Sequence, residues 1–520
     1  MTNQMHETGT LEELTSQLRR RFQKQDLLAF LSGFGFTLLV HLYMFTNKFV
    51  NYDDVGGLYS DCEAGLSSGR WMLHPIKMVV GSFSSAWIGG VAMAVLMGVA
   101  VASVVRLFRI RRSIPILLLS LSMTAFPVLA CNNSYMYCAV QYVAALALSA
   151  AAALFIHRDR WWSILIGIAM LAVSMGAYQA YFCFAAALLV TVLMVETAVG
   201  CDSEKPLRFI WKALRHVVSL GLGMVLYMVI LRVLLKITGT VLTDYKGIST
   251  MGQISLGELI HRILLSYREF FPFYGSWIFH PVFAWICGAG LLASLIGLAV
   301  LMVHSRAWRR GWPIAFLVVL LAVLPLASNL VYVMSGEAVH MVMRYAMLMP
   351  LLLPVILVDR IPMPDGNQLR RGLATALVLV LLLVQTAFGW EFFELTNRAY
   401  FTMDMSYKNA YSYATRLCAK IELQPDFTPE TPVAIIGTAK FPHSVPPPFG
   451  MMGILTSDGI INMYTRNDFF EHFLGVKYRY AYEEQIEKIR RSKFFKNMPC
   501  YPSSGSIAEY KGVIVVKFSD

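Results

Sequence analysis

The chain has 520 residues, of which 57% are hydrophobic and only 15% charged, and its mean hydropathy is +0.57. A soluble protein of this length could not enclose so many apolar side chains, because the buried fraction grows slowly with size. The net charge of +12 reads as a topology signal, and nucleic acid is not an expected partner.

Residues 1–26 come first. Thr10 to Glu13 fits a capping box, and Leu11, Leu14, Leu18 and Phe22 follow on one face beside "RRR". That pattern predicts an amphipathic helix lying on the cytoplasmic surface. Apolar runs long enough to cross ~30 Å of hydrocarbon then follow. Eleven are expected, near 27–46, 76–105, 113–130, 138–156, 162–176, 178–199, 216–236, 280–303, 313–334, 345–358 and 373–391. No cleavable signal peptide is expected, since mostly polar residues precede the first run. This is the pattern of a polytopic α-helical membrane protein, with membrane lipids as constant partners.

Lys and Arg collect on the cytoplasmic side of short loops. With the N-terminus inside, "RRRFQK", "RLFRIRR", "HRDR", "EKPLRFIWKALR", "SRAWRR" and "DRIPMPDGNQLRR" put twenty basic residues there, against nine at most on the other side. The expectation is therefore a multi-pass protein of the cytoplasmic (inner) membrane, with outer loops at 47–75 and 239–279. In the second loop, "SLGELIHRILLSYREFFPFYG" carries a helical stripe of Leu256, Leu259, Ile260, Ile263, Leu264 and Tyr267. It reads as a helix on the outer leaflet or one packing over the bundle.

Residues 392–520 change character, with charge, proline and short apolar runs. "YKNAYSYATRLCAKIEL" and "YAYEEQIEKIRRSKFF" have helical spacing, "PVAIIGTAKF" reads as a buried strand, and "SIAEYKGVIVVKF" as two strands joined near Lys511-Gly512. A small extracytoplasmic α+β domain is expected, in which Cys418 and Cys500 could pair.

The first outer loop, "NYDDVGGLYSDCEAGLSSGRWMLHP", places Asp53 and Asp54 side by side, with Asp61, Glu63 and Arg70 following. Adjacent like charges raise one pKa, and such groups favour functional sites; a solvated loop or a metal site would use the same residues. No GxxxxGK[ST] or GxGxxG beside a strand offers a nucleotide pocket. A transferase working on the outer face would need a donor already in the membrane, and a polyprenyl-phosphate sugar fits. Its leaving phosphate calls for cations near the outer headgroups. Arg70 and Arg344, the latter in "EAVHMVMRY" with His340, are the first candidates, followed by Arg262 and Arg268. Each of these has a plainer reading as a snorkelling residue. Trp71 suits sugar stacking or interfacial anchoring, and Tyr178 and Gln179 suit ligand contact or helix capping. No cofactor is demanded by the residues, and a divalent cation is left open. The rival class is a transporter or lipid flippase with an outer sensor domain, which would use sites near the midplane; His41 and Gln141 are the interior candidates.

"YDD" after the first run, "SGRW" before the second, "GAYQAY" at 176–181, "HMVMRY", and the terminal "MPCYPSSGSIAEYKGVIVVKF" together resemble the GtrII-type membrane glucosyltransferases of the GT-C class. The resemblance implies about eleven transmembrane helices within 27–391 and an outer C-terminal domain at 392–520. It also implies inverting transfer of a hexose, with glucose the expected one, from polyprenyl phosphate to a glycan or lipid-linked acceptor of the cell envelope. Asp53 or Asp54 would then be the catalytic base. The pattern would carry an Arg three residues after the second Asp; Gly57 stands there.

Overall fold

The computed structural model describes residues 23–47, 50–58, 65–81, 84–201, 205–243, 255–276, 278–335, 339–364, 367–441, 451, 453–454 and 457–519. The expected N-terminal amphipathic helix, Asp61 and Glu63 lie outside the described residues.

Helix α1 (Lys24–Thr46) leads to a short α2 (Tyr52–Gly56), which carries the acidic pair. The expected second run is split. Its start folds as α3 (Leu73–Val80), which stops at Gly81, whose φ of 113° is open to glycine alone; the span itself is α4 (Ala86–Phe108). The third run is bent by 43° between α5 (Ser113–Ala125) and α6 (Val128–Ser134). Pro127 accounts for the break, because the residue before a proline is pushed out of the helical region and Phe126 sits at ψ 126°. The bundle continues with α7 (Met136–His157), α8 (Trp161–Ala177), α9 (Phe182–Val199) and α10 (Pro206–Thr238). The amphipathic α11 (Leu256–Arg268) follows, then α12 (Phe270–Tyr274), α13 (Phe283–His304), α14 (Trp312–Ser328), α15 (Val331–Met334) and α16 (Met349–Val358).

Among the described residues, seven helices are long and apolar enough to cross a membrane, eight if the α5–α6 pair counts as one. Three shorter apolar helices accompany them, Trp161–Ala177, Trp312–Ser328 and Tyr345–Val358. The protein is thus mostly helical and of membrane type. α1 lies along α4 and α5, and α4 along α7. The α1–α4 contact is closed by small residues: a Cβ on Gly33 would stand 3.0 Å from the Gly98 Cα, the close backbone approach that apolar helices use in lipid. His41 in α1 is a tie between helices. Its Nδ1 pairs with the Tyr400 hydroxyl at 2.7 Å and its Nε2 with the Thr124 carbonyl at 3.0 Å.

The last apolar run continues unbroken. α17 runs from Gln368 to Glu422, 55 residues, so the boundary drawn at 391 from composition falls inside one helix. Beyond it stand β1 (Val433–Ile436), α18 (Ser457–Ile460), α19 (Arg466–Phe469), α20 (Glu483–Arg490), α21 (Lys493–Asn497), β2 (Ile507–Tyr510) and β3 (Val513–Lys517). The sheet order is β1-β3-β2, with β1 parallel to β3 and β2 antiparallel to it. Lys511 and Gly512, at φ 53° and 77°, make the expected turn. Cys418 is buried and Cys500 exposed, and both are free thiols.

The core under this sheet includes residues from far upstream. Val50 and Val55, which flank the acidic pair, are buried with Ala410, Tyr413, Phe469 and Ile514. Met451 and Ile454 cross the other way and join the core of the helical bundle.

Candidate active site around Asp53

Neighbouring residues on a helix point about 100° apart, and here that rotation gives the two acids different surroundings. The α2 helix starts at Asn51, whose Oδ1 accepts from the Asp54 N–H at 3.0 Å. The Asp54 carboxylate, fully buried, then accepts from the N–H of Met136 at 3.0 Å and of Tyr137 at 2.8 Å. These are two of the donors that the first turn of α7 leaves unused, at the positive end of that helix. Asp54 therefore fastens the loop to α7. Asp53 is partly buried, and among the described residues nothing donates a hydrogen bond to its carboxylate. Burial raises its pKa from the ordinary carboxylate value. Tyr135 and Tyr137 stand within electrostatic reach of it.

The second motif lies on the loop 65–70. Its ends are drawn together by the Arg70 N–H donating to the Gly65 carbonyl at 2.6 Å, with Gly69 at φ 75°. Gln179 Nε2 donates to the Ser68 carbonyl and the Tyr227 hydroxyl, each at 3.1 Å, and the Tyr227 hydroxyl donates to the Gly69 carbonyl at 3.0 Å. The loop so held presents Arg70, which donates from Nη1 to the Tyr142 hydroxyl at 3.1 Å and lies 5.5 Å over the Tyr178 ring. Tyr178 stacks on Tyr142 at 4.3 Å. Tyr137 lies within electrostatic reach of Asp53, Asp54 and Arg70 together.

The aromatic contacts continue to the third motif. Tyr178 meets Tyr181 at 5.6 Å, and Tyr181 meets Tyr345 at 5.8 Å, both edge-on. Arg344, next in sequence, donates from Nη2 to the Glu269 carbonyl at 2.6 Å and lies 4.7 Å over Phe273 and 5.6 Å over Tyr332. Burial lowers its pKa from the ordinary guanidinium value. Two buried donors here, Arg344 Nε and Trp71 Nε1, have no partner among the described residues, and buried donors ordinarily have one.

A family model described as glucosyl transferase GtrII matches residues 42–351, more than half of the chain. The chain belongs to the GtrII glucosyl transferase family. No curated protein and no solved structure matches it. The matched stretch holds every site residue expected from sequence, from Asp53 to Arg344.

Not all of these residues converge. In this GtrII member, Arg262 Nε pairs with Glu258 at 2.8 Å on its own helix, and Arg268 pairs with Glu269 at 3.1 Å, so each has a carboxylate of its own. Trp71 packs flat on Gly176, where a Cβ would overlap its ring, so its body is a packing element. His340 precedes the turn 341–343, partly exposed. At Gly57 a Cβ would stand 2.9 Å from the Asp53 carbonyl oxygen and 3.2 Å from the Tyr137 ring, so an Arg would not fit this packing.

Sequence reasoning missed Tyr135, Tyr137 and Tyr142. The signal of Tyr135 and Tyr137 was present in "CNNSYMYC", a polar and aromatic interruption between two apolar runs, whereas Tyr142 lies inside the second run. It also missed the C-terminal residues that border α2. α19 packs against α2, and a Cβ on Gly56 would stand 3.8 Å from the Asp468 carboxylate. Gly453, at φ 85°, turns against Ser134 and Tyr135. Among the described residues no three His, Cys, Asp or Glu side chains group as a metal site would need.

Proposed function

We propose that this glucosyltransferase is an inverting enzyme of the GT-C type. It moves glucose from a polyprenyl-phosphate donor to a cell-envelope glycan on the outer face of the membrane, with Asp53 as general base. The observation that carries this is the contrast between the two acids: Asp54 spends both oxygens on α7, while among the described residues nothing donates to the Asp53 carboxylate, whose pKa burial raises.

In this reading the acceptor hydroxyl hydrogen-bonds to Asp53. Its oxygen attacks the anomeric carbon as the bond to the phosphate oxygen breaks, and its proton passes to the carboxylate. Arg70, fixed by Tyr142 and Tyr178, neutralises the departing phosphate. Arg344, Trp71 and their unpartnered N–H groups serve the donor or the acceptor. The outer location rests on the distribution of Lys and Arg, and 423–520 is read as an outer domain because it covers the same loop.

The test is glucose transfer from synthetic polyprenyl-phosphate glucose by purified protein, beside Asp53→Asn and Asp54→Asn. Loss of about 100-fold or more in Asp53→Asn, with a folded protein, is what a missing general base gives. Full activity in Asp53→Asn would rule out that role, and turnover of no lipid-linked sugar at all would remove the donor assignment.

A further inference from the structure

The three helices that frame the acid site enclose a second concave feature at their other ends. α1, α4 and α7 approach Asp53 through Thr46, Ala86 and Met136; Lys24, Phe108 and His157 lie at the far ends. About 22 residues at 1.5 Å each separate the two, roughly 33 Å or one membrane thickness. Between the far ends lies a recess of about 290 Å³, near the lower limit of ligand-sized pockets.

Four arginines line it, Arg106, Arg109, Arg111 and Arg158, over an apolar floor that includes Leu107 and Ile110. Asp26 is the carboxylate of the lining, 3.9 Å from Arg106. Among the described residues no carboxylate pairs with the guanidinium of Arg109, Arg111 or Arg158. Arg158 rests 4.8 Å over Phe155, and Arg111 offers Asp359 its backbone N–H, at 2.9 Å, and not its side chain. The turn that sets them is specific. Arg109 takes a left-handed φ of 51°, and the Ile110 N–H returns to the Val105 carbonyl at 3.0 Å, burying Ile110 between the two arginines. His157, on the same wall, faces Glu196 through Nε2 at 3.2 Å, and its Nδ1 has no partner among the described residues.

Basic residues at helix ends ordinarily spread into water. Here they converge on one concavity whose described lining holds one carboxylate, Asp26, and like charges so placed repel unless an anion enters. Burial and the neighbouring Arg106 and Arg160 already hold the Arg158 guanidinium below its ordinary pKa. Beside Asp26, Leu27 and Leu31 are exposed on the lipid side of α1, at 58% and 54%, and would give a hydrocarbon chain a track away from the recess.

We propose that this recess binds a phosphate group, and that the phosphate is the headgroup of an anionic phospholipid. Planar guanidinium forks match phosphate oxygens, and basic pockets between helix ends are where such headgroups are held.

The experiment uses the purified full chain in zwitterionic detergent. Thermal unfolding and native mass spectrometry are followed while phosphatidylglycerol, phosphatidylcholine or inorganic phosphate is added, for wild type and for R109Q/R111Q, whose positions are exposed. The expected result is stabilisation by phosphatidylglycerol, none by phosphatidylcholine, and a smaller effect of inorganic phosphate. The double variant should bind phosphatidylglycerol about tenfold or more weakly, from the loss of charge-assisted hydrogen bonds. Should that variant prove unstable, R111Q alone serves, with a smaller loss in the same direction. Equal stabilisation by the two lipids, or unchanged phosphatidylglycerol binding in the variants, overturns the proposal. An inorganic phosphate effect as large as that of phosphatidylglycerol overturns the lipid part.

Discussion

Asp53 and Asp54 are one residue apart and carry opposite consequences for stability. Because burial raises the folded-state pKa of Asp53, the folded protein binds its proton more tightly than the unfolded chain. The stability this contributes is present below the unfolded carboxylate pKa and is lost as pH rises through the folded value. At neutral pH the ionised Asp53 is therefore a cost, and Asp53→Asn should unfold at the same temperature as wild type or higher while transfer is lost. A melting curve beside an activity assay checks both. The acidic limb of the wild-type pH–activity profile should likewise lie above the range of an exposed carboxylate. Asp54→Ala should act in reverse, losing about 1–3 kcal/mol as two charge-assisted caps of α7 disappear, measured as a shift in denaturation midpoint. The pair itself was legible in "YDD", but its division of labour was not. That depends on where the first turn of α7 arrives, 82 residues further along the chain.

At the scale of elements, hydropathy located the apolar runs because span length is set by the bilayer. It missed the break between α3 and α4, since that segment, "GSFSS", carries a glycine turn and serines but no charge. It also ended the last span at 391, where composition changes, although the backbone hydrogen bonds of α17 continue to Glu422. The loop 65–70 is an element whose shape rests on few bonds, so it is sensitive to single changes. Tyr227→Phe removes the donor to the Gly69 carbonyl and should cost about 0.5–1.5 kcal/mol. If the loop positions Arg70 for the donor, KM for the lipid-linked sugar should rise more than kcat falls, which steady-state kinetics will show. Gly57→Ala, facing the Asp53 carbonyl at 2.9 Å, should lose about 1–3 kcal/mol through overpacking, with activity falling too because the same contact sets Asp53.

On the scale of the whole molecule, the C-terminal residues are part of the site's foundation. Val50 and Val55 are buried in the core beneath the sheet, so a chain ending at Glu422 would leave α2 without its support. Such a truncation should lose transfer to any acceptor, simple alcohols included, and a truncated protein that still transferred glucose would contradict this arrangement. None of this interleaving could be read from sequence, because Val50 and Ile514 are apolar residues with nothing in their surroundings to pair them. The separate helices and strands of the region were legible; their partner was not.

α17 gives the membrane a lever on the chemistry. Its 55 residues make a rod of about 80 Å, with roughly 45 Å standing beyond residue 391. Helices tilt to match bilayer thickness, and a change of ~5° would swing the far end by roughly 4 Å. Val50 and Val55 would travel with that end, while Asp54 is pinned to α7. The strain would fall on the two hydrogen bonds that hold the neighbour of Asp53, so the thickness of the surrounding lipid would bear on how the proposed base is set.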